Sequence, residues 1–96
     1  MEKCDFILSA LLAKVGSYRE PEDHPTLSKD IAADLDLPLV DVLDLSQNLA
    51  EEGLVKISLL YNPPLLYLTY AGLSRARRLA LALYTLCFGV YEVFPA

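Results

Sequence analysis

Apolar residues recur at spacings of three and four through residues 4–15 (CDFILSALLAKV), putting Phe6, Ile7, Ala10, Leu11 and Val15 on one side. That period predicts an amphipathic helix, and Gly16 closes it. Residues 17–25 (SYREPEDHP) lose the pattern and contain two prolines, so they read as a polar loop. The helical period returns over 26–36 (TLSKDIAADLD), with Ile31, Ala32 and Leu35 inward. Ser28 is the expected N-cap, and Asp30 in the first turn suits the positive end of the helix dipole. Pro38 steers Leu37 away from the α region and fits the first turn of a third helix, 38–52 (PLVDVLDLSQNLAEE). Val42, Leu45 and Leu49 make its inner stripe. Gly53 is its stop, in the left-handed conformation that glycine tolerates.

The pattern then changes. Residues 55–61 (VKISLLY) and 65–69 (LLYLT) read as two strands around a turn at Asn62-Pro63-Pro64. Two prolines do not make a tight two-residue turn, so a wide loop is expected. Residues 70–91 read as a last helix, apolar from Leu79 to Tyr91 apart from Thr85. The expected fold class is mainly α with a small β-hairpin.

Three segments in this order carry a family likeness. LSKDIAADLDL (27–37), LSQNLAEEGLVKI (45–57) and YLTYAGLSRARRL (67–79) together resemble the winged helix–turn–helix family of DNA-binding regulators, in its small archaeal and bacterial branches. The likeness spans residues 4–79 or so. It implies a winged helix with a three-helix core and a wing at about 4–72. An extra C-terminal dimerisation helix at about 73–92 completes a single domain over 1–96.

The likeness also implies a function: a homodimeric transcriptional regulator that binds double-stranded DNA. In such a protein the third helix enters the major groove and the wing meets the backbone or minor groove. The candidate reading residues on the third helix are then Val40, Asp41, Asp44, Gln47 and Asn48. Those on the wing and the basic turn after it are Lys56, Asn62, Arg75, Arg77 and Arg78.

Charge complicates this picture. The net charge is −5. Residues 1–52 carry twelve acidic and four basic side chains, whereas residues 53–96 carry four basic side chains against Glu92 alone. The third helix holds Asp41, Asp44, Glu51 and Glu52 and no cation, although phosphate contact supplies most non-specific affinity for DNA. Gln47 and Asn48 have the groups to pair with adenine, or are solvated polar positions. Val40 and Leu43, opposite the inner stripe, suit a protein partner or belong to the core. The alternative reading is therefore a winged-helix protein–protein interaction module without direct DNA binding. Arg75, Arg77 and Arg78 have three readings: contacts to phosphate, a solvated turn, or salt bridges to the acidic first half.

Hydrophobic residues make up 54% of the chain, much for a small domain to hide. A soluble monomer rarely exposes a large apolar patch, so a second copy is the expected cover for the last helix. Packing within the monomer and membrane attachment are the alternatives; the apolar run is shorter than a spanning helix needs. Candidate dimer-interface residues are Phe6, Leu79, Leu83, Leu86, Val90 and Phe94. Cys4 and Cys87 are not a CxxC pair and, with His24 the only histidine, leave too few ligands for structural zinc. They read as small apolar thiols of a reducing cytoplasm, and the start MEKCDF has no signal-peptide pattern. Glu20, Glu22, Asp23 and His24 are expected to be a solvated acidic loop. No nucleophile motif, phosphate loop or dinucleotide fingerprint appears, so neither an enzyme nor a cofactor is expected.

Overall fold

The first amphipathic segment forms α1 (Lys3–Val15), with Ile7, Leu8, Leu11 and Val15 buried. Asp5, in its first turn, accepts the Glu2 backbone N–H at 3.3 Å, satisfying one donor near the helix start. The structure is a computed structural model that describes residues 2–88, with side chains as far as residue 82. The loop after α1 contains one 3-10 turn, Pro21–Asp23.

The segment expected as one helix over 26–36 is divided. Thr26–Leu27 is a strand, β1, and α2 runs Ser28–Leu35. A two-residue strand has no period of its own in the sequence; it is drawn into place by a neighbouring edge. Ser28 N–H completes the docking by donating to the Pro64 carbonyl at 3.0 Å. Leu27 therefore takes the cap position in extended conformation. Ser28, expected as the cap, is instead the fully buried first residue of α2, and its hydroxyl has no partner. At the other end Asp36 is left-handed, with φ 55°, a conformation that aspartate accepts more readily than most residues.

The third helix, α3, spans Leu39–Glu51, and Pro38 stands just before it rather than within its first turn. Val42, Ser46 and Leu49 are buried and Leu45 is half-buried. Gly53, at φ 77°, ends the helix as expected. Leu54 N–H reaches the Leu49 carbonyl at 2.9 Å and Gly53 N–H the Ala50 carbonyl at 3.0 Å, the paired bonds of a Schellman stop.

Strands β2 (Val55–Ser58) and β3 (Leu65–Leu68) pair antiparallel, Val55 opposite Leu68 and Ser58 opposite Leu65. The first strand was expected to reach Tyr61 and stops three residues earlier. Pro63 and Pro64 have no N–H to donate, so the ladder does not continue through them. β1 pairs with the other side of β3, Thr26 opposite Leu66, giving a three-stranded sheet of order β1-β3-β2 where a hairpin alone was expected.

The last helix, α4, is described over Tyr70–Phe88. It begins at Tyr70, where the sequence pattern put the start of the last helix and three residues before the dimerisation segment at about 73, and Thr69 explains why. The Thr69 hydroxyl donates to the Gly53 carbonyl at 2.7 Å and accepts the Gly72 N–H at 3.0 Å, fastening α4 to the end of α3. Gly72 faces the Leu54 carbonyl so closely that a Cβ would lie 1.8 Å from that oxygen. Leu73 and Ala76 then bury against the rest of the core, which joins Ile7, Leu8, Leu11, Ile31, Val42, Leu49, Leu66 and Leu68 in one cluster. The chain is thus mainly helical with a small antiparallel sheet. Among the described residues, no helix is long and apolar enough to cross a membrane.

Candidate functional site

Helix phase decides what α3 offers to a ligand. With Val42, Ser46 and Leu49 buried, Val40, Asp41, Asp44, Gln47 and Asn48 are all exposed on the outer side, together with Glu51. Val40 is 62% exposed, and Leu43 is half-buried at the edge of the same face. The structure thus brings the five candidate reading residues onto one surface. That surface bears carboxylates and no cation of its own helix, and among the described residues Asp41 and Asp44 form no ion pair.

The basic candidates separate into three fates. Arg75 is turned toward α1. Its Nη2 lies 3.1 Å from Asp5 Oδ1 and its Nε donates to the same oxygen at 3.3 Å. Asp5 is buried, 6% exposed, so this pair ties α4 to α1 and leaves less of Arg75 for a ligand. Lys56 is exposed on β2 but shares a shallow depression with Glu22, Asp23, Thr69 and Tyr70. The Glu22 carboxylate beside Tyr70, with slight burial and Asp23, raises that phenol above its ordinary pKa. Two carboxylates thus share the depression with Lys56. Arg77 and Arg78 remain exposed and line a second depression with Tyr70, Ser74 and Leu81. Arg78 also donates to the Ser74 hydroxyl at 3.2 Å.

Residues 59–64 connect the two long strands. Asn62 is exposed there as expected, but so are Leu59, Leu60 and Tyr61, Leu60 at 91%. These three were read as strand. The double proline next to them was the signal that their strand ends early.

The dimer candidates also divide. Leu79 is half-buried against its own core; Leu81, which was not among the candidates, is 60% exposed. Phe6 is exposed but lines a different groove, with Lys3, Leu35 and Leu37. Leu83 and Leu86 belong to α4, but their side chains lie outside the described set, and Val90 and Phe94 lie outside the described residues.

Cys4 is half-buried, its thiol 3.9 Å from the Leu45 carbonyl. Burial raises its pKa, and the charges of Glu52, Glu2 and Asp5 add to the effect. A thiol held protonated is a poor nucleophile. In the acidic loop, the Glu20 carboxyl, hydrogen-bonded to Asp23 when protonated and set beside that residue's charge, has its pKa raised. Among the described residues, no three of His, Cys, Asp and Glu come together as metal ligands. Compared with family models, curated proteins and solved structures, the chain matches none.

Proposed function

We propose that this chain is a winged-helix regulator that acts as a homodimer and meets double-stranded DNA with the start of α4 and the wing rather than with α3. The observation that carries this reading is the exposed pair Arg77 and Arg78, set beside a helix–turn–helix arrangement whose α3 has a solvent-facing outer side. The element order supports the winged-helix layout: three helices, a β-hairpin between residues 55 and 68, then a fourth helix. Exposure of Leu81 supports a second copy as the cover for α4. In this reading Arg77 and Arg78 meet phosphate and set register, while Arg75 is structural. Base discrimination by α3 is weak, because carboxylates near phosphates are repelled.

The test is a mobility shift on mixed-sequence DNA at low salt, paired with sedimentation to fix the oligomeric state. A dimer that binds, with affinity falling as salt rises, supports the reading; a folded dimer that leaves the DNA unshifted at micromolar concentration removes it. One observation favours a second reading, a protein–protein interaction module. The acidic outer face of α3 adjoins exposed and half-exposed aliphatics, Val40 and Leu43, a mixture suited to a protein partner.

A further inference from the structure

Two neighbouring depressions, between α1, α2 and α3, share Lys3 and Leu37 in their linings. The first is lined by Lys3, Phe6, Leu35 and Leu37 and is mostly apolar. The second shares Lys3 and Leu37 and continues along α3 past Asp41, Asp44 and Leu45. The result is a groove with an apolar floor and an acidic wall. Phe6 is 46% exposed at one end. The left-handed turn at Asp36 and Pro38 turn the chain between α2 and α3, leaving Leu37 half-buried in both depressions.

We propose that this groove is the docking site for a basic amphipathic helix of a protein partner. The inference rests on the second reading of function and names the chemistry of that partner. Two observations select the occupant. The lining offers Phe6, Leu35, Leu37 and Leu45, apolar surface of the kind that a helix stripe at i, i+3, i+4 and i+7 covers. The wall offers Asp41 and Asp44, whose carboxylates have no ion-pair partner among the described residues, against Lys3 alone. Among the described residues, the ion-paired carboxylates are Asp5, with Arg75, and Asp34, with Lys14. A lysine- or arginine-bearing helix supplies the missing charge. An acidic segment is repelled by the same wall; residues 89–96 of this chain carry Glu92 and no cation.

The experiment uses the full chain, isotope-labelled for amide NMR, and two synthetic peptides. One is a leucine/lysine amphipathic helix and the other its leucine/glutamate counterpart with the same apolar stripe. The lysine peptide is expected to shift the amides of Leu37, Asp41, Asp44 and Leu45, and to bind at least tenfold more tightly than the glutamate peptide. The double substitution Asp41→Asn and Asp44→Asn, on an exposed surface that keeps its fold, is expected to weaken the lysine peptide about fivefold.

Equal binding of the two peptides overturns the proposal, as does an unchanged affinity in the asparagine variant. Shifts confined to the exposed loop at 59–61 overturn the groove while sparing the protein-interaction reading. Absence of any shift with either peptide overturns both. If the groove amides move with protein concentration alone, the occupant is a second copy, and the proposal fails on that ground.

Discussion

Helices α3 and α4 are joined through a two-strand hairpin and fastened by one threonine, yet their outer faces have opposite chemistry. The face of α3 presents Asp41, Asp44 and Glu51 with no cation, and the start of α4 presents Arg75, Arg77 and Arg78 with no carboxylate. The α3 charges are all turned to solvent. The α4 charges are not alike: Arg75 holds Asp5, while Arg77 and Arg78 face outward. Two conclusions follow. The outer face of α3 has the wrong sign for phosphate. The helix that fixes the fold contributes the cations, and one of its three arginines is committed to architecture.

The comparison breaks most easily at the seat of α4. Replacing Gly72 by alanine puts a Cβ into the Leu54 carbonyl, and the helix must move off α3. A loss of about 3 kcal/mol is expected by urea denaturation, at the upper end for overpacking, with α4's arginines displaced relative to α3. Arg75→Ala separates the architectural arginine from its neighbours. It leaves the buried Asp5 carboxylate without its cation and should cost about 1–2 kcal/mol. Arg77→Ala, measured the same way, should stay within about 0.5 kcal/mol of the parent.

Smaller effects sharpen the joint and the faces. Thr69→Ala removes the α4 cap and its bond to Gly53, an expected loss of about 1 kcal/mol. Thr69→Ser should recover most of it, which thermal melts of the pair will show. Asp36→Gly relieves a left-handed aspartate and should gain a few tenths of a kcal/mol; a loss would mean the Asp36 side chain has a structural use.

Much of this architecture was legible in the sequence, and the failures have physical reasons. The stripe of Val42, Leu45 and Leu49 set the phase of α3 because a 3.6-residue period leaves few choices, and its outer face followed. Gly53 was legible because few residues accept its conformation. The strand at Thr26–Leu27 was not legible, since it has no period and exists only by pairing with β3. Ser28 failed as a cap for the same reason: Leu27, the end of that strand, holds the cap position, and the helix begins at Ser28 itself. Leu59 to Tyr61 looked like strand because leucine and tyrosine favour strands, while the adjoining prolines decide where pairing ends. For the site, composition announced that the net positive charge lies in the second half of the chain. Pairing of Arg75 with Asp5 spans seventy positions, and spacing along the chain carries no sign of it.

The division between the two helices is tested most directly by DNA-binding anisotropy at low salt with three proteins: the parent chain, the Arg77→Ala/Arg78→Ala variant, and the Gln47→Ala/Asn48→Ala variant. The account predicts that the arginine variant loses about tenfold or more in affinity and shows a shallower salt dependence, having given up phosphate contacts. It predicts that the α3 variant binds as the parent does. Loss of binding in the α3 variant, with the arginine variant unaffected, would contradict it.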